Sequence, residues 1–598
     1  MDQPSNLAFH LLVATWLTFS MHWADQTVAA EPVASEPTAL AARNVLRQHC
    51  HRCHNGAGSE GGDFDLLKAA DLTGKDSTGQ LLTVPRQPGA SRIVQRQVRQ
   101  EMPPAGQPQP RLEDLNAVWS WIEAGAPAFP AIEKRPPVAL RTVLETATAH
   151  MLKLDKTQRP FTRFFTLHHL YNHPQVSEAD LIVNRAALSK GLNSVSRAAQ
   201  IVVPEALDPA ETLFAIDLRD LNWSGDEWEA LLGAYPYGLR YSSHSDQALR
   251  VADEALEEAT GSDLALLRGD WFVATALRPP LYHTLLKLPM QATELERELA
   301  VDVKTNFQSP KPERFARGGF KKSGVSAQNR LVERHGSGTR MYWKSYDFKP
   351  DSSHAHLGRF PLGPLDLFPG GAHPYPQQAF QHDGGELIFA LPNGLHGYLL
   401  VDGAGSRIDA GPIAVVSDSL KTGGTNEIVN GVSCMACHKH GMIRFRDEIR
   451  DNNAVFGGAE QKVRDLYPPQ AAMDRLLAND EAAYLMALEK AVGPSFRRGG
   501  DSAKAIKDFP EPVGEAARQY RLSFIDAQTA ACELDVEDPA QLVARIGEKK
   551  LKQLGLGGLL ERSGVVSRAE WEAVNGVSLM QEVGRELRAT PVRRLSLK

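Results

Sequence analysis

One short pattern occurs twice in this chain of 598 residues and uses four of its five cysteines. The two copies are CHRCH and CMACH, and their cysteines and histidines are Cys50, Cys53, His54, Cys434, Cys437 and His438. Two cysteines three positions apart lie on the same side of a helical turn, and the histidine four positions after the first cysteine shares that side. Each copy therefore presents two thiols and one imidazole to the same place.

This arrangement is the attachment pattern of c-type haem. The two thiols can bond the two vinyl groups of the haem, while the histidine turns a ring nitrogen to the iron. The alternatives are a structural zinc site, which needs two further ligands from another Cys or His pair, and a thioredoxin-like dithiol. Because two complete copies use nearly all the cysteines, the sequence predicts two covalently bound haem c groups.

The residues around the motifs carry weaker predictions. Cys532, the fifth cysteine, lies in an apolar helical pattern that indicates a buried, inert thiol. His49 and His51, which flank the first motif, are predicted to be exposed and to take no part in binding iron.

The composition excludes one class of function. The formal net charge of −6 on a chain of 65.5 kDa gives no electrostatic reason to expect a nucleic-acid partner. With 42% hydrophobic and 23% charged residues the chain is typical of globular proteins, and its length predicts several domains.

Residues 1–30 differ from the rest of the chain. An apolar run is followed by Val28 and Ala30 at the spacing of a signal-peptidase site, although no Lys or Arg precedes the run. We therefore predict a signal peptide and export to the periplasm, with a retained amphipathic anchor as the alternative. No later segment has about 18 consecutive apolar residues, so the mature chain is expected to be soluble and to lack a membrane span.

A small cytochrome is predicted over residues 38–130. Its sixth iron ligand should come from a loop beyond the attachment motif, and Met102 lies in such a loop before two prolines that cannot continue a helix. A thioether opposite an imidazole suits electron transfer, whereas the alternative is a methionine that only packs. A closing helix follows, with one predicted apolar face made of Leu115, Val118, Trp119 and Ile122.

The strings CHRCHNG, PGASRIV, EMPP and WSWIEAGAP, in this order, resemble the small cytochrome c domain that is abundant in planctomycete proteins. The resemblance implies a class I cytochrome c fold over about ninety residues, the size of one small domain. It also implies that Cys50 and Cys53 form the thioether bonds, that His54 is the proximal ligand and that Met102 is the distal one.

The rest of the chain divides by pattern. After a proline-rich linker, residues 131–310 are predicted to form an α-rich α+β domain, 311–430 a β-rich block, and 431–598 a helical, cytochrome c-like domain that binds the second haem. Within the block, an Asn-Gly pair between apolar runs predicts a hairpin in ELIFALPNGLHGYLLVDG. The fold class predicted for the whole chain is multidomain and mainly α.

The β-rich block also holds many polar residues, which solvation or local bonding explains better than a catalytic cluster. They are Arg330, Glu333, Arg334, His335, His382, Asp383 and Glu386. The strings YWKSYDF, HDGGELIFALPNGLHGYLLVDG and VNGVSCMACH, together with SGVSAQNRLVERH, resemble a large family of exported bacterial proteins in which this block precedes a haem c motif. The resemblance implies a second haem and no particular chemistry.

The sixth ligand of the second haem is not apparent from the sequence. Met486 has the same spacing from its motif as Met102 but lies mid-helix in a core-like pattern, and the other candidates are Met473, Met442, His440 and His382. The ligand can also be absent, which would leave a five-coordinate iron able to bind a small molecule.

Three classes of function fit these patterns. The first is an exported dihaem c-type cytochrome that transfers electrons between redox partner proteins. The second is a dihaem oxidoreductase, peroxidase-like in logic, in which the first haem supplies electrons to an open second haem. The third is a binding module with accessory haems. The sequence favours the electron carrier.

Overall fold

The computed structural model describes most of the chain. The described residues are 35–51, 53–54, 64–75, 79–104, 109–110, 112–129, 134–321, 329–349, 356–413, 415–418, 421–498, 503–561, 564–574 and 576–592. The predicted signal peptide at residues 1–30 lies outside them.

Four helices surround the first motif: α1 (Ser35–His49), α2 (Ala69–Leu72), α3 (Arg92–Val98) and α4 (Leu112–Glu123). Helix α1 packs against α4. The predicted face of α4 is wrong at one position, because Trp119 is 42% exposed whereas Trp121 is 1% exposed. Trp121 lies three positions after the buried residue Val118, which keeps these two side chains on the same side of the helix.

The next segment alternates helices and strands around a sheet with the strand order β2-β3-β1-β5. Its elements are α5 (Leu140–Lys153), β1 (Thr162–Thr166), α6 (His168–Asn172), α7 (Glu178–Ser194), β2 (Glu205–Ala206), β3 (Leu213–Asp217), α8 (Gly225–Ala234), β4 (Leu239–Arg240), α9 (Gln247–Thr260), β5 (Leu266–Arg268), α10 (Gly269–Thr275), α11 (Leu281–Leu286), α12 (Ala292–Glu298) and α13 (Val303–Gln308). Strand β1 pairs antiparallel with β3 and parallel with β5, so it lies inside the sheet.

An antiparallel sheet of six strands follows, with the order β11-β10-β9-β8-β7-β6. Its strands are β6 (Ala316–Lys321), β7 (Asn329–Gly336), β8 (Met341–Tyr346), β9 (Gly384–Ala390), β10 (His396–Asp402) and β11 (Arg407–Ile408), and the short pair β12 (Ala410–Gly411) and β13 (Ile428–Val429) comes next. Strands β9 and β10 form the predicted hairpin. Its turn includes Gly394 at a φ of +93°, a conformation that favours glycine.

The last segment is mostly helical. Its elements are α14 (Val432–Cys437), α15 (Gly458–Leu466), α16 (Gln470–Phe496), α17 (Pro512–Leu522), β14 (Phe524–Ile525), α18 (Ala527–Glu533), α19 (Pro539–Ile546), α20 (Glu548–Gln553), β15 (Val566–Ser567), α21 (Arg568–Glu572), α22 (Leu579–Glu586) and β16 (Thr590–Pro591). Strand β16 pairs with β4, so the end of the described chain lies against the second segment.

The prediction of a mainly α fold is wrong. About 45% of the chain is helical and 14% is strand, and the six-stranded antiparallel sheet makes the fold mixed α/β. One source of the error is the string FTRFFTLHHLYNH, whose apolar spacing predicts a helix although its residues Thr162–Thr166 form β1. All five residues of β1 are buried, so this interior strand lacks the alternation of buried and exposed positions by which a strand is recognised, and periodicity alone cannot distinguish it from a buried helix.

The largest hydrophobic core extends along most of the chain, from Phe165 to Ala589, and a separate core lies around α1 and α4. The large core takes residues from β1, from the hairpin strand β10, from α14 and from α17. The domain boundaries at residues 130, 310 and 430 stay predictions. Among the residues that the structure describes, no helix is both long enough and apolar enough to cross a membrane.

Candidate haem sites

The first motif forms a tight turn directly after α1. The amide of Cys50 bonds the carbonyl of Leu46 at 2.9 Å, and the amides of Cys53 and His54 both bond the carbonyl of Cys50 at 3.1 Å. This turn brings the two thiols and the imidazole to one side of the chain, as the spacing predicts. The five cysteines are all free thiols.

A cavity of about 640 Å³ lies in front of this turn, within the range of small-molecule and cofactor sites. Cys50, Cys53, His54 and Met102 all line it. The amide of Met102 bonds the carbonyl of Arg96 at 3.2 Å, which attaches the methionine loop to the end of α3. These residues fit a haem, because the thiols, an imidazole and a thioether meet at one cavity large enough for a cofactor.

The imidazole of His54 is held by its surroundings. Its ring stacks on Phe64 with the centroids 4.8 Å apart, and its carbonyl accepts a hydrogen bond from the amide of Leu66 at 3.0 Å. Burial raises the pKa of the Cys50 thiol to about 12. A protonated thiol is not the reactive thiolate of a redox dithiol.

The second motif forms a similar turn in α14. The amide of His438 bonds the carbonyl of Cys434 at 2.8 Å, and its Nδ1 lies 3.2 Å from the carbonyl of Gly441. A carbonyl only accepts, so Nδ1 donates this hydrogen bond, and the ring presents Nε2 on its other side. A histidine that ligates a metal through Nε2 commonly has its other nitrogen bonded in this way.

Comparison with known proteins bears on the first motif. Residues 50–106 match a family model described as planctomycete cytochrome C. This segment is therefore similar to a c-type cytochrome. The match includes Cys50, Cys53, His54 and Met102 and covers about a tenth of the chain, and a cytochrome of this class carries covalently bound haem c. No curated protein matches the chain, and no solved structure matches it.

The histidines beside the first attachment turn are not exposed, so that prediction is wrong. The side chain of His49 is 1% exposed, and its Nε2 accepts a hydrogen bond from Arg518 at 3.3 Å. The Nε2 of His51 lies 3.1 Å from Asp65. Burial lowers the pKa of His51, although the charge of Asp65 opposes that shift.

The wall of the first cavity opposite the turn of the first motif is formed by distant parts of the chain. Residues in or next to α6, α7, α17, β14, α18 and α21 line the same cavity, among them His173, Asp180, Tyr520, Asp526 and Arg568. Sequence reasoning missed all of them, because no local pattern shows that segments hundreds of positions apart meet at one surface.

The Nε2 of His438 faces a carboxylate. Glu386 Oε2 lies 3.6 Å from it, and Glu386 also bonds the thiol of Cys434. Burial alone would raise the pKa of Glu386, but His438 and then Arg330 outweigh burial and hold the pKa at about 2. The donor set and the ring orientation of the second motif thus fit a haem, and Glu386 is a described side chain that faces Nε2 of His438.

The candidate sixth ligands of the second motif differ in how deeply they are buried and in what they contact. Met486 is 60% exposed, so its assignment to the core is wrong. Met473 is buried in the large core, and Met442 packs against that core. His382 lies against Tyr346 and 3.9 Å from Asp366. His440 lies beside Lys507. Exposure thus argues against Met486 as a ligand and does not decide between the other four candidates.

Two further polar residues near His438 were missed. His396 and Tyr398 lie on β10 at alternate positions and therefore point to the same side of the sheet. The rings of Tyr398 and His438 are 6.0 Å apart, and within the described residues neither His396 Nδ1 nor the Tyr398 hydroxyl has a hydrogen-bond partner. The alternation of a histidine and a tyrosine in an apolar strand is the pattern that could have found them.

The other polar residues of the β-rich block are held in ion pairs. The pairs are Arg330 with Asp347 at 2.6 Å, Arg334 with Asp480 at 2.8 Å, Glu333 with Arg317 at 2.8 Å and with His335 at 3.3 Å, and Asp383 with Lys349 at 3.5 Å. Ion pairs therefore account for most of this set, and Glu386 is the member that lies 3.6 Å from His438.

The structure also bears on the zinc alternative for the two motifs and on the predicted inertness of Cys532. In the part of the chain that the structure describes, no group of three or more His, Cys, Asp or Glu side chains is arranged to hold a metal ion. Neither motif is thus given the extra ligands that a structural zinc site needs. Cys532 is buried and burial raises the pKa of its thiol, which confirms the prediction of an inert cysteine.

Proposed function

We propose that this chain is a dihaem c-type cytochrome that transfers electrons between redox proteins. The observation that carries the proposal is the cavity lined by Cys50, Cys53, His54 and Met102, within the segment that matches a cytochrome c family. A haem held there supplies a one-electron centre whose potential a methionine ligand raises. Filling both axial positions from the chain suits electron transfer rather than oxygen chemistry.

The second haem is supported by the geometry of the second motif. Cys434, Cys437 and His438 lie on one helical turn, and the bond from His438 Nδ1 to Gly441 orients Nε2 for a metal. The proposal also includes export to the periplasm, which the apolar run in residues 1–30 supports. A redox protein is the partner that such a carrier requires.

The test is the haem content of cysteine variants made in cells that attach haem c. The wild type should contain two haems per chain by pyridine haemochrome absorbance. Cys50→Ala with Cys53→Ala should contain one, and Cys434→Ala with Cys437→Ala should also contain one. Cys532→Ala is the matched control and should keep both. If the variant with Cys434→Ala and Cys437→Ala kept the wild-type haem content, the second haem would be refuted.

A specific observation favours a second candidate, a dihaem oxidoreductase. The side chain that faces His438 Nε2 is the carboxylate of Glu386 rather than a methionine or histidine. A carboxylate is a weaker iron ligand than these, so the second iron could be open to a small molecule. Addition of cyanide or carbon monoxide should then change the spectrum of the second haem only. A spectrum unchanged by these ligands leaves the electron carrier as the function.

A further inference from the structure

A second cavity, of about 90 Å³, is lined by residues outside both motifs. It lies where the end of β1 meets α5, α9, β5 and the residues that follow α18. An engineered apolar cavity of about 150 Å³ holds benzene, so this smaller cavity has room for a ligand of roughly four non-hydrogen atoms.

The wall of this cavity combines apolar and aromatic side chains. Leucines of α5, α9 and β5 line it together with Tyr235, Tyr237 and Tyr241. The guanidinium of Arg268 lies 4.1 Å from the centre of the Tyr237 ring, so one ring of this set already holds a cation. Tyrosine rings attract organic cations through their faces, and leucines suit an alkyl group.

The charges around the cavity are unbalanced. Five carboxylates line it, and among the described residues Arg268 is the one cation that does so. Arg268 is already paired with Asp270 at 2.8 Å and with Glu533 at 2.9 Å. Within the described chain Asp535 has no ion pair, and its Oδ2 accepts a hydrogen bond from the amide of Leu140 at 3.0 Å. A carboxylate without a counter-charge at an apolar wall favours a cationic ligand over an anionic one.

Asp535 also lies close to one of the tyrosines. Burial and then the charge of Asp535 raise the pKa of Tyr241. Burial raises the pKa of Asp535 itself to about 6, although the amide of Leu140 opposes that shift. The carboxyl is therefore mostly ionised at neutral pH, and a cation in the cavity would relieve the cost of burying its charge.

A free hydrogen-bond acceptor lines the same cavity. The side chain of His168 is buried, with 7% of the residue exposed, and its Nδ1 lies 2.8 Å from the hydroxyl of Thr166. That hydroxyl donates its one proton to the carbonyl of Thr212 at 3.0 Å, so Nδ1 donates to the hydroxyl oxygen. Burial, then His169 and Arg268, lower the pKa of His168 to about 3, which keeps the ring neutral. Its Nε2 is therefore an acceptor, and among the described residues it has no hydrogen-bond partner.

We propose that this cavity binds a small primary alkylammonium ion, with Asp535 as its counter-charge and His168 Nε2 as an acceptor. An ammonium group supplies both the positive charge that Asp535 lacks and the proton that Nε2 can accept. The leucines cover the alkyl group, and the volume limits the ion to about four non-hydrogen atoms. The proposal does not depend on a haem at either motif.

The first test is isothermal titration calorimetry of the full-length wild-type protein at neutral pH. Propylammonium chloride should bind at one site per chain with a dissociation constant of about 1 mM or lower. Propan-1-ol has the same number of non-hydrogen atoms without the charge, and it should bind at least about tenfold more weakly. Equal affinities for the two probes would overturn the proposal, and so would the absence of saturable propylammonium binding.

The second test replaces the proposed counter-charge. Asp535→Asn keeps an oxygen for the amide of Leu140, and asparagine tolerates the positive φ of +54° at this position. Propylammonium should bind about tenfold more weakly to this variant, whereas its binding of propan-1-ol should not change. Glu537→Gln is the matched control, because it makes the same change at an exposed carboxylate two positions away.

The acceptor is tested by His168→Asn, which keeps a group that can bond Thr166 and removes Nε2. This variant should bind propylammonium several-fold more weakly than the wild type does. Unchanged propylammonium affinity in either Asp535→Asn or His168→Asn would overturn the assignment. The comparison of the two probes on the wild-type protein decides the proposal even if a variant does not fold.

Discussion

At the scale of single residues, the two sites differ in what faces the histidine. The first cavity contains the thioether of Met102 together with His54. At the second motif, a carboxylate lies 3.6 Å from the imidazole nitrogen of His438. Sulfur and oxygen donors stabilise different oxidation states of iron. The first haem is therefore expected to have the higher reduction potential.

Replacement of Met102 tests this difference. Met102→Ala should abolish the sulfur-to-iron absorption band at the red end of the spectrum and lower the potential of one haem, because the thioether favours ferrous iron. Met486→Ala is the control, since Met486 is 60% exposed. A red band that persists in Met102→Ala would show that another group is the ligand.

Prediction from the sequence was accurate where residues that are close in the chain determine the geometry. The spacing of the cysteines and histidines was enough to predict both turns. It failed for His49, whose burial depends on Arg518, 469 positions away. It also failed for Glu386, because the short distance from β9 to α14 is a property of the folded sheet.

At the scale of elements, α14 depends on the glycine before it. Gly431 has a φ of +84°, and a Cβ there would lie 2.5 Å from the carbonyl of Leu277. The helix that carries Cys434 and Cys437 therefore begins at a position that only glycine can occupy. Any side chain at this position would move the start of the second attachment turn.

Gly431→Ala should lower the free energy of unfolding by more than the variant Gly547→Ala does. Gly547 also has a φ of +84° but has nothing within 4 Å of its Cβ position, so its substitution costs only backbone strain of about 1–3 kcal/mol. Urea unfolding of both variants measures the difference. Gly431→Ala should in addition lose haem from the second motif alone. Equal free energies of unfolding for Gly431→Ala and Gly547→Ala would refute the role of the contact with Leu277.

Elements α18, α21 and β5 are joined by one buried carboxylate. Glu533 of α18 accepts a hydrogen bond from Arg568 at 2.6 Å and lies 2.9 Å from Arg268, and Trp571 donates to it at 2.8 Å. Burial alone would raise the pKa of Glu533, but the charges of Arg268 and Arg568 outweigh burial and hold its pKa at about 2.

Glu533→Gln should destabilise the protein by about 3 kcal/mol, because two buried arginines lose a shared counter-charge. Glu548→Gln is the control, since Glu548 is 73% exposed and its removal should cost no more than about 0.5 kcal/mol. Thermal or urea unfolding at neutral pH measures both. A loss equal to that of the control would contradict the role of this network.

The depressed pKa of Glu533 also predicts a dependence on pH. Its contribution to stability is complete above the unfolded carboxyl pKa, near 4.3, and is lost as the pH falls through the folded value of about 2. Wild-type stability should therefore fall over this range more steeply than that of Glu533→Gln. Parallel curves for the two proteins would contradict this assignment.

At the scale of the whole molecule, the cavity in front of the first motif is shared between distant parts of the chain. The residues of the first segment line this cavity together with residues of α17, α18 and α21, which follow that segment by more than 400 positions in the chain. The hairpin β9–β10 and the helices near the motifs were predictable from local patterns. The six-stranded sheet and the shared cavity wall were not, because they depend on which distant surfaces pack together.

Covalent attachment of a haem at each motif can be read from the masses of the proteolytic peptides. Protein made in cells that attach haem c should yield two proteolytic peptides that each carry the mass of one haem. One peptide should contain Cys50 and Cys53, and the other should contain Cys434 and Cys437. A sample in which the second peptide is recovered only with free thiols would contradict the account.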